Sequence, residues 1–492
     1  MGSVEEVDVV VIGGGSAAHE AAVAAKDHGA ERVLMLEKAP EETSGGNARF
    51  SGTGFRFVFE PDEIPDICDL SAEDAAVLSI LPYTAELFRA DLDRVTQGRI
   101  DPELAGILVD DSNEAIRWAK RMGIKWELQP GIWKNGKRYF SPGIPIHPLN
   151  LGDDMTNGLS QLVQWDRIAE GLGIEKRYRN KVIRLLGDET GIDGVVVKGP
   201  EGRYEVRADA VIAAAGGFQA NSRMRAAFLG PNADIMKVRG SRHDTGEVLQ
   251  MLLDLGAQPS GQWQGAHASP IDYSAPIVES GEAVNRYSYC WGITVNELGQ
   301  RFIDEGEAEI SYTYAKTGWA VQRQPGSTAF QIGDQKVWAQ YRDAYKPTET
   351  IWGDTLDELA EKMGVNPDVF RSTIAEFNAA VDDSIPFDPT VRDGRRTNGL
   401  TVDKTNWAQK MDEGPFFAGR ITGGVTFTFG GIKVDTDARV VSIGGEPIPR
   451  LYATGDILGI FFHNYPSMTG QTRNLVFARR AGRHAMSLTP AR

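Results

Sequence analysis

A chain of 492 residues exceeds one ordinary domain, so two domains are the expectation. With 41% hydrophobic and 24% charged residues it has the make-up of a soluble globular protein, and it holds no run of about 18 apolar residues that would span a membrane. A formal charge of −16 argues against a nucleic-acid partner, because binders of the phosphate backbone are basic.

The chain enters its first strand almost at once, without the basic and apolar regions of a secretory leader, which reads as a cytoplasmic protein. Residues 7–12 are short, apolar and β-branched, as in a buried parallel strand. Gly13-Gly14-Gly15-Ser16-Ala17-Ala18 follows, then an alanine-rich helix to residue 27 and a second strand over 32–36 that ends in Glu37-Lys38. This is G-x-G-x-x-A in a βαβ unit with an acid about 20 residues on. Gly13 allows the tight turn, Gly15 lets the backbone approach a pyrophosphate, and Ala18 lets helix and strand pack closely. Free N–H groups of Ser16 and Ala17 at the helix N-terminus suit phosphate, and Glu37 suits a ribose hydroxyl. Dinucleotide binding follows.

The glycine-rich segment 44–54 comes next, with Gly45, Gly46, Asn47, Phe50, Gly52 and Gly54. So much glycine predicts backbone lying close to something bulky. Residues 71–122 read as helical, with Asp101-Pro102 opening one helix. Residues 130–160 read as loops, and 175–211 as short antiparallel strands that include Val182. A buried strand then runs into Gly216-Gly217, a pair suited to close approach of a cofactor. Residues 257–423 are richer in Trp, Tyr and Gln and read as an inserted domain, leaving 1–256 and 424–492 as the two parts of the first. Tyr312 and Tyr314 sit two apart, so that on a strand both share a face. The tail holds a strand ending near Asp456 and a terminal helix after Pro466 that begins near Thr469-Gly470-Gln471-Thr472-Arg473. Cys68 and Cys290 fit no metal spacing and are expected as reduced, buried thiols.

These motifs in this order resemble the flavoprotein family of fumarate reductase and succinate dehydrogenase, nearest to its tricarballylate dehydrogenase and ketosteroid desaturase branches. The resemblance implies an α/β fold: a Rossmann-like FAD-binding domain of the glutathione-reductase type with an inserted α+β capping domain. It implies FAD on Gly13, Gly15, Ser16, Ala17, Glu37, Lys38, Gly45, Gly46, Asn47, Gly52, Gly54, Val182, Gly216, Asp456, Thr469, Gln471 and Thr472. Asn47 stands where membrane-bound members carry a flavin-linking histidine, which implies non-covalent FAD. The dipole of the terminal helix would stabilise the negative charge of reduced flavin. Of the four positions that bind and protonate fumarate in the soluble reductases, His267 is retained, while Thr426, Glu309 and Tyr465 replace the other three. A dicarboxylate reductase is therefore not expected.

Residues 302–306 with 312–316, and the loop 461–466, look like the tricarballylate branch; residues 50–54 look like the ketosteroid branch. The expected activity is oxidation of a CH–CH bond beside a ketone or carboxylate, on a cyclic ketone or keto acid. In this chemistry a hydride passes to flavin N5 and a proton to a tyrosine base. Tyr465 is the expected carbonyl-polarising donor, Tyr312 or Tyr314 the base, and His267 orients substrate. Phe50, Thr426, His463 and Arg473 are the expected substrate contacts. Arg473, unfavourable for the helix dipole, is read as a carboxylate binder or a surface charge. A polycarboxylate would demand more cations than Arg49 and Arg56. Alternatives are a polycarboxylate dehydrogenase, an enoate reductase, or a flavin-binding electron-transfer subunit. The electron acceptor is not legible.

Overall fold

The computed structural model describes residues 4–487. The chain forms two compact units. One consists of residues up to Leu229, Gly240–Ala266 and the chain from Phe427; the other of Gly230–Arg239 and His267–Thr426.

The first unit is built on an eight-stranded sheet. Its central strand, Val4–Ile12, pairs in parallel with Val33–Leu36 on one side and Gly202–Ala213 on the other. Val9, Val10 and Val11 have no exposed surface, so both faces of this strand are covered and its sequence is a continuous apolar run. Strand Gly202–Ala213 has two further partners. Its first half pairs antiparallel with Gly191–Gly199 and its second half in parallel with Pro447–Ala453, which brings the tail of the chain into the same sheet as its start, one strand away. Helix Ser16–Asp27 packs against the terminal helix Thr469–Ser487 through small residues. A Cβ on Gly482 would lie 2.6 Å from the Ala21 carbonyl oxygen, so the two helices touch backbone to backbone there. Pro102–Asp110 is capped by Asp101, whose carboxylate accepts from the Glu103 and Leu104 N–H groups, with Pro at the first turn.

Segment 44–54 is pinned by a helix that begins at the end of the region read as loop. Helix Asn157–Gly171 is capped by Thr156, whose Oγ1 also donates to the Arg49 carbonyl at 2.8 Å. The Gly158 N–H donates to Ser51 O at 3.0 Å, and a Cβ on Gly158 would lie 1.8 Å from Ala48 O.

The second unit is organised on strand Phe416–Thr428. It pairs in parallel with Lys237–Val238 and antiparallel with Thr328–Gly333 and Thr350–Gly353, and it also pairs with Ala266–Asp272. Helices Leu356–Met363 and Pro367–Ala380 bury Leu359, Met363, Phe370, Ile374 and Phe377 against Ile293, Val295, Phe330 and Ile332. The antiparallel sheet with helices on its core face is α+β.

One local expectation changes. Ile310–Gln322 is a helix, so Tyr312 and Tyr314 do not share a face. Two positions on a helix lie about 200° apart. The β-favouring Ile, Tyr and Thr residues here yield to packing: a Cβ on Gly318 would lie 2.4–2.5 Å from the carbonyl oxygens of Ser269 and Ala268, so the helix rests directly on a strand.

Candidate active site

The turn after Val4–Ile12 is shaped by its glycines. Gly13 has φ +129°, and a Cβ there would lie 2.4 Å from Ala214 O; at Gly14 it would lie 2.6 Å from Glu37 Oε2. Gly15 differs: the nearest atom to its would-be Cβ is Gly45 O at 3.6 Å. Side-chain-free backbone at Gly15 thus faces that of Gly45-Gly46 across a narrow space, at the open N-terminus of helix Ser16–Asp27, where no side chain caps the N–H groups. Glu37 is 7% exposed; its Oε1 accepts from Ala39 N–H at 2.6 Å, and burial raises its carboxyl pKa. Asn47 Oδ1 accepts from Ser241 N–H at 2.9 Å. Lys38 Nζ is held by Thr245 Oγ1 and Glu247 Oε2, both at 2.7 Å. Val182 is buried on strand Lys181–Asp188. A Cβ on Gly54 would lie 2.7 Å from Gln129 Nε2.

Behind Gly216 lies an acid that the sequence did not single out. Asp244 accepts from Gln219 Nε2 at 2.9 Å, and its Oδ1 is 2.7 Å from a would-be Cβ on Gly216. Burial first, then the Asp456 carboxylate, push its pKa up to about 8.

At the start of the terminal helix, Arg473 is fully buried and pairs with Asp456. Its Nη2 also donates to Asn474 Oδ1 at 3.0 Å, and Asn474 Nδ2 to Ser16 Oγ at 3.4 Å, so this network joins the two helix N-termini. The surface-charge reading of Arg473 is thereby overturned. The Arg473 guanidinium lies over the rings of Phe427 and Phe461, at 5.4 and 5.2 Å. Tyr465, 5% exposed, completes that cluster, with ring centroids 5.3 Å from Phe427, 5.4 Å from Phe461 and 6.5 Å from Phe429. Thr472 Oγ1 donates to Arg56 O at 2.7 Å. Among the described residues, Thr469 Oγ1, Gln471 Oε1 and Arg473 Nη1 are buried without a hydrogen-bond partner in the protein. The His463 backbone N–H donates to Gln262 Oε1 at 2.5 Å, and its ring Nε2 is 3.4 Å from Arg99 Nη1. Phe50 is half-buried at the end of the short helix Gly46–Phe50.

The second unit holds the other candidates. His267 has no exposed surface and meets Tyr314 edge-on, centroids 5.0 Å apart. Tyr314 packs in turn on Tyr287 at 4.9 Å, and Tyr287 Oη is 3.0 Å from Ser269 Oγ. Arg239, 6% exposed, donates from Nε to Thr426 Oγ1 at 3.1 Å and from Nη1 to Glu282 Oε1 at 2.9 Å. Burial, and after it the Arg239 charge, lower the His267 pKa well below its ordinary value, so the ring is neutral at pH 7. The structure thus brings His267 together with Tyr314, and Thr426 with Arg239, and sets Tyr312, half-buried, on another side of its helix.

A family model described as the FAD binding domain matches residues 8–472. The chain belongs to that family. FAD is its cofactor, and the residues present fit it: glycine backbone faces a space that a Cβ at Gly15 would enter, beside an uncapped helix N-terminus, with unpartnered buried polar atoms at a second N-terminus. As an FAD-dependent oxidoreductase, the chain is similar to a probable fumarate reductase of Shewanella frigidimarina, 27% identical over 98% of this chain and 75% of that one. It is similar as well to a 4-oxocyclohex-2-ene-1-carboxylate 5-dehydrogenase of Sinomonas cyclohexanicum, 28% identical over 68% of this chain and 61% of that one. In fold it matches a 3-ketosteroid Δ1-dehydrogenase of Sterolibacterium denitrificans, with a TM-score of 0.76, 20% identity, and coverage of 99% of this chain and all of the other. The α/β flavoprotein fold anticipated from the motifs is the fold observed. No helix among the described residues is long and apolar enough to cross a membrane.

Arg239 and Asp244 escaped sequence reasoning. Both sit in the run Lys237-Val238-Arg239-Gly240-Ser241-Arg242-His243-Asp244, where three basic residues and a histidine surround a glycine in an acidic protein. That local reversal of charge was the available signal.

Proposed function

We propose that the chain oxidises a CH–CH bond beside the carbonyl of a cyclic ketone or keto acid to give the α,β-unsaturated product. One observation carries the reading: Tyr465 stands among Phe427, Phe429 and Phe461, each 5% exposed or less. An apolar wall with one hydroxyl suits a cyclic ketone. A polycarboxylate would need unneutralised cations, and Arg473 and Arg56 are already paired with Asp456 and Asp91. The similarity to the Sinomonas enzyme, named for a cyclic keto acid, supports the same class.

FAD is held by the glycine turns at Gly13, Gly15, Gly45, Gly46 and Gly216, by Ser16, Ala17, Glu37 and Asp456, and by the helix start at Thr469, Gln471 and Thr472. It is held without a covalent link, because the amide of Asn47 replaces the flavin-linking histidine. When bound, FAD supplies the two-electron oxidant. The Tyr465 hydroxyl donates to the substrate carbonyl oxygen, where negative charge grows as the neighbouring C–H loses its proton. In a site walled by phenyl rings that hydrogen bond is stronger than in water. Tyr314 is the base of this reading and takes the proton as its phenolate, its own phenol proton having first passed to solvent; neutral His267, packed on its ring, fixes its orientation.

The test is anaerobic bleaching of the flavin absorbance by a cyclohexanone carboxylate, a 3-ketosteroid, tricarballylate and succinate, with wild type beside Tyr465→Phe. A cyclic ketone or keto acid is expected to bleach the wild type, with the variant slower by about 10²- to 10³-fold. Bleaching by tricarballylate or succinate alone, or an unslowed variant, overturns the reading.

A further inference from the structure

The start of the terminal helix carries buried polar groups that the protein itself does not satisfy. Thr469 and Arg473 stand one turn apart on helix Thr469–Ser487, on one face, and neither has any exposed surface. Of the Arg473 nitrogens, Nε donates to Asn474 Oδ1 at 3.3 Å, and Nη2 serves both Asp456 Oδ1 and Asn474 Oδ1. Among the described residues Nη1 has no partner, and neither has Thr469 Oγ1. A buried donor on a charged group calls for an acceptor, and here the chain supplies none.

The same network fixes where that acceptor lies. Asn474 Nδ2 reaches Ser16 Oγ at 3.4 Å, and a Cβ on Gly455, next to Asp456, would lie 3.0 Å from Ala17 Cβ. Arg473 is thus tied to the uncapped helix start at Ser16 and Ala17, which suits the diphosphate of FAD, and all of these residues belong to one compact unit.

We propose that Arg473 is a cofactor-binding residue whose Nη1 donates to the C2 carbonyl oxygen of the flavin ring, and not a binder of substrate carboxylate. The inference rests on FAD and is independent of the ketone reading.

The bonding of the guanidinium separates the two roles. A carboxylate takes arginine by its fork, through paired N–H groups. At Arg473, Nε and Nη2 are occupied and Asp456 balances the charge, so one donor nitrogen remains with no net charge behind it. A neutral carbonyl oxygen matches that donor better than an anion does. The rings of Phe427 and Phe461, 5.4 and 5.2 Å from the guanidinium, keep water from it and strengthen the remaining bond. Of the two pyrimidine carbonyls, C2 is assigned because the negative charge of reduced flavin collects on N1 and the C2 oxygen. There the Nη1 donor and the positive end of the helix dipole act together, and both favour the reduced ring over the oxidised one.

The test is the infrared spectrum of FAD isotopically labelled at C2 or at C4, bound to wild type, Arg473→Gln and Arg473→Lys. Loss of the Nη1 bond is expected to raise the C2 carbonyl stretch in both variants and leave C4 in place. A change confined to C2 separates a lost hydrogen bond from a bare Asp456 carboxylate, whose field acts on both carbonyls. In Arg473→Gln the preference for reduced over oxidised FAD is expected to fall about 10-fold, a drop of about 30 mV in the two-electron midpoint potential measured against a redox dye. Should Arg473→Gln fail to hold FAD, Arg473→Lys, which keeps a cation for Asp456, gives the same carbonyl readout. An unmoved C2 stretch in a FAD-loaded variant, or a rise at C4 alone, overturns the inference. An unmoved C2 stretch together with lost binding of cyclohexanecarboxylate would make Arg473 a substrate residue instead. No substrate turnover enters the measurement, so failure of the ketone reading leaves this result untouched.

Discussion

Asp244→Asn tests the electrostatics of the cofactor cradle. The Asp244 carboxyl is buried, with Gln219 as its donor and the carboxylates of Asp456 and Glu37 adding to the effect of burial, and its pKa is pushed up to about 8. An acid whose pKa is raised on folding stabilises the native state fully below the unfolded value near 4, and that contribution is lost as pH rises to about 8. Between pH 6 and 8 the folded protein holds this proton and the unfolded chain does not. At about 1.4 kcal/mol per unit, with half the proton gone at pH 8, the wild type loses about 2 kcal/mol across that window through this residue. Asn keeps an acceptor for Gln219 and copies the shape of the protonated acid without titrating. At about 2 cal/mol/K of unfolding entropy per residue over 492 residues, the difference is about 2 °C. The assay is thermal unfolding of both proteins from pH 5.5 to 8.5. The variant's midpoint is expected to fall less steeply, ending about 2 °C above the wild type at pH 8 once the two are aligned at pH 6. Parallel curves would refute the argument, because every other titrating group is common to both proteins.

Gly15→Val is expected to abolish flavin retention, since its side chain enters the space between Gly15 and Gly45; the ratio of flavin to protein absorbance after purification measures it. Gly482→Val puts side-chain atoms against Ala21 O and Ala24 Cβ and is expected to cost about 1–3 kcal/mol in denaturant unfolding. Tyr314→Phe is expected to slow flavin reduction by about 10²-fold or more with the ring packing on His267 kept, while Tyr312→Phe stays within a few-fold of wild type. Equal losses in the two tyrosine variants would reject Tyr314 as the base.

The opening βαβ unit was legible in the sequence because its demands are local. Gly13, Gly15 and Glu37 lie within one short stretch, and each answers a steric or hydrogen-bonding need that few other residues meet. The capped helices were legible for the same reason, as with Asp101 and Pro102. Other features depend on partners distant in the chain. Tyr314 stands on a helix because Gly318 allows that segment to lie on the carbonyl groups of Ala268 and Ser269, and no propensity of Tyr or Thr announces such a contact. Arg473 was open to two readings, carboxylate binder or surface charge, and the second fell only because Asp456 and two phenyl rings enclose it.

The sequence by itself determined the cofactor class and the flavoprotein fold, through short-range patterns of glycine, alanine and apolar residues. Only the tertiary structure decided the charge states and neighbours of the candidate site. Asp244 is protonated because residues from three separate segments bury it and set carboxylates near it, and Arg239 reaches Thr426, 187 positions away, through strand register. Desolvation and charge pairing act through space, and their partners are chosen by the fold.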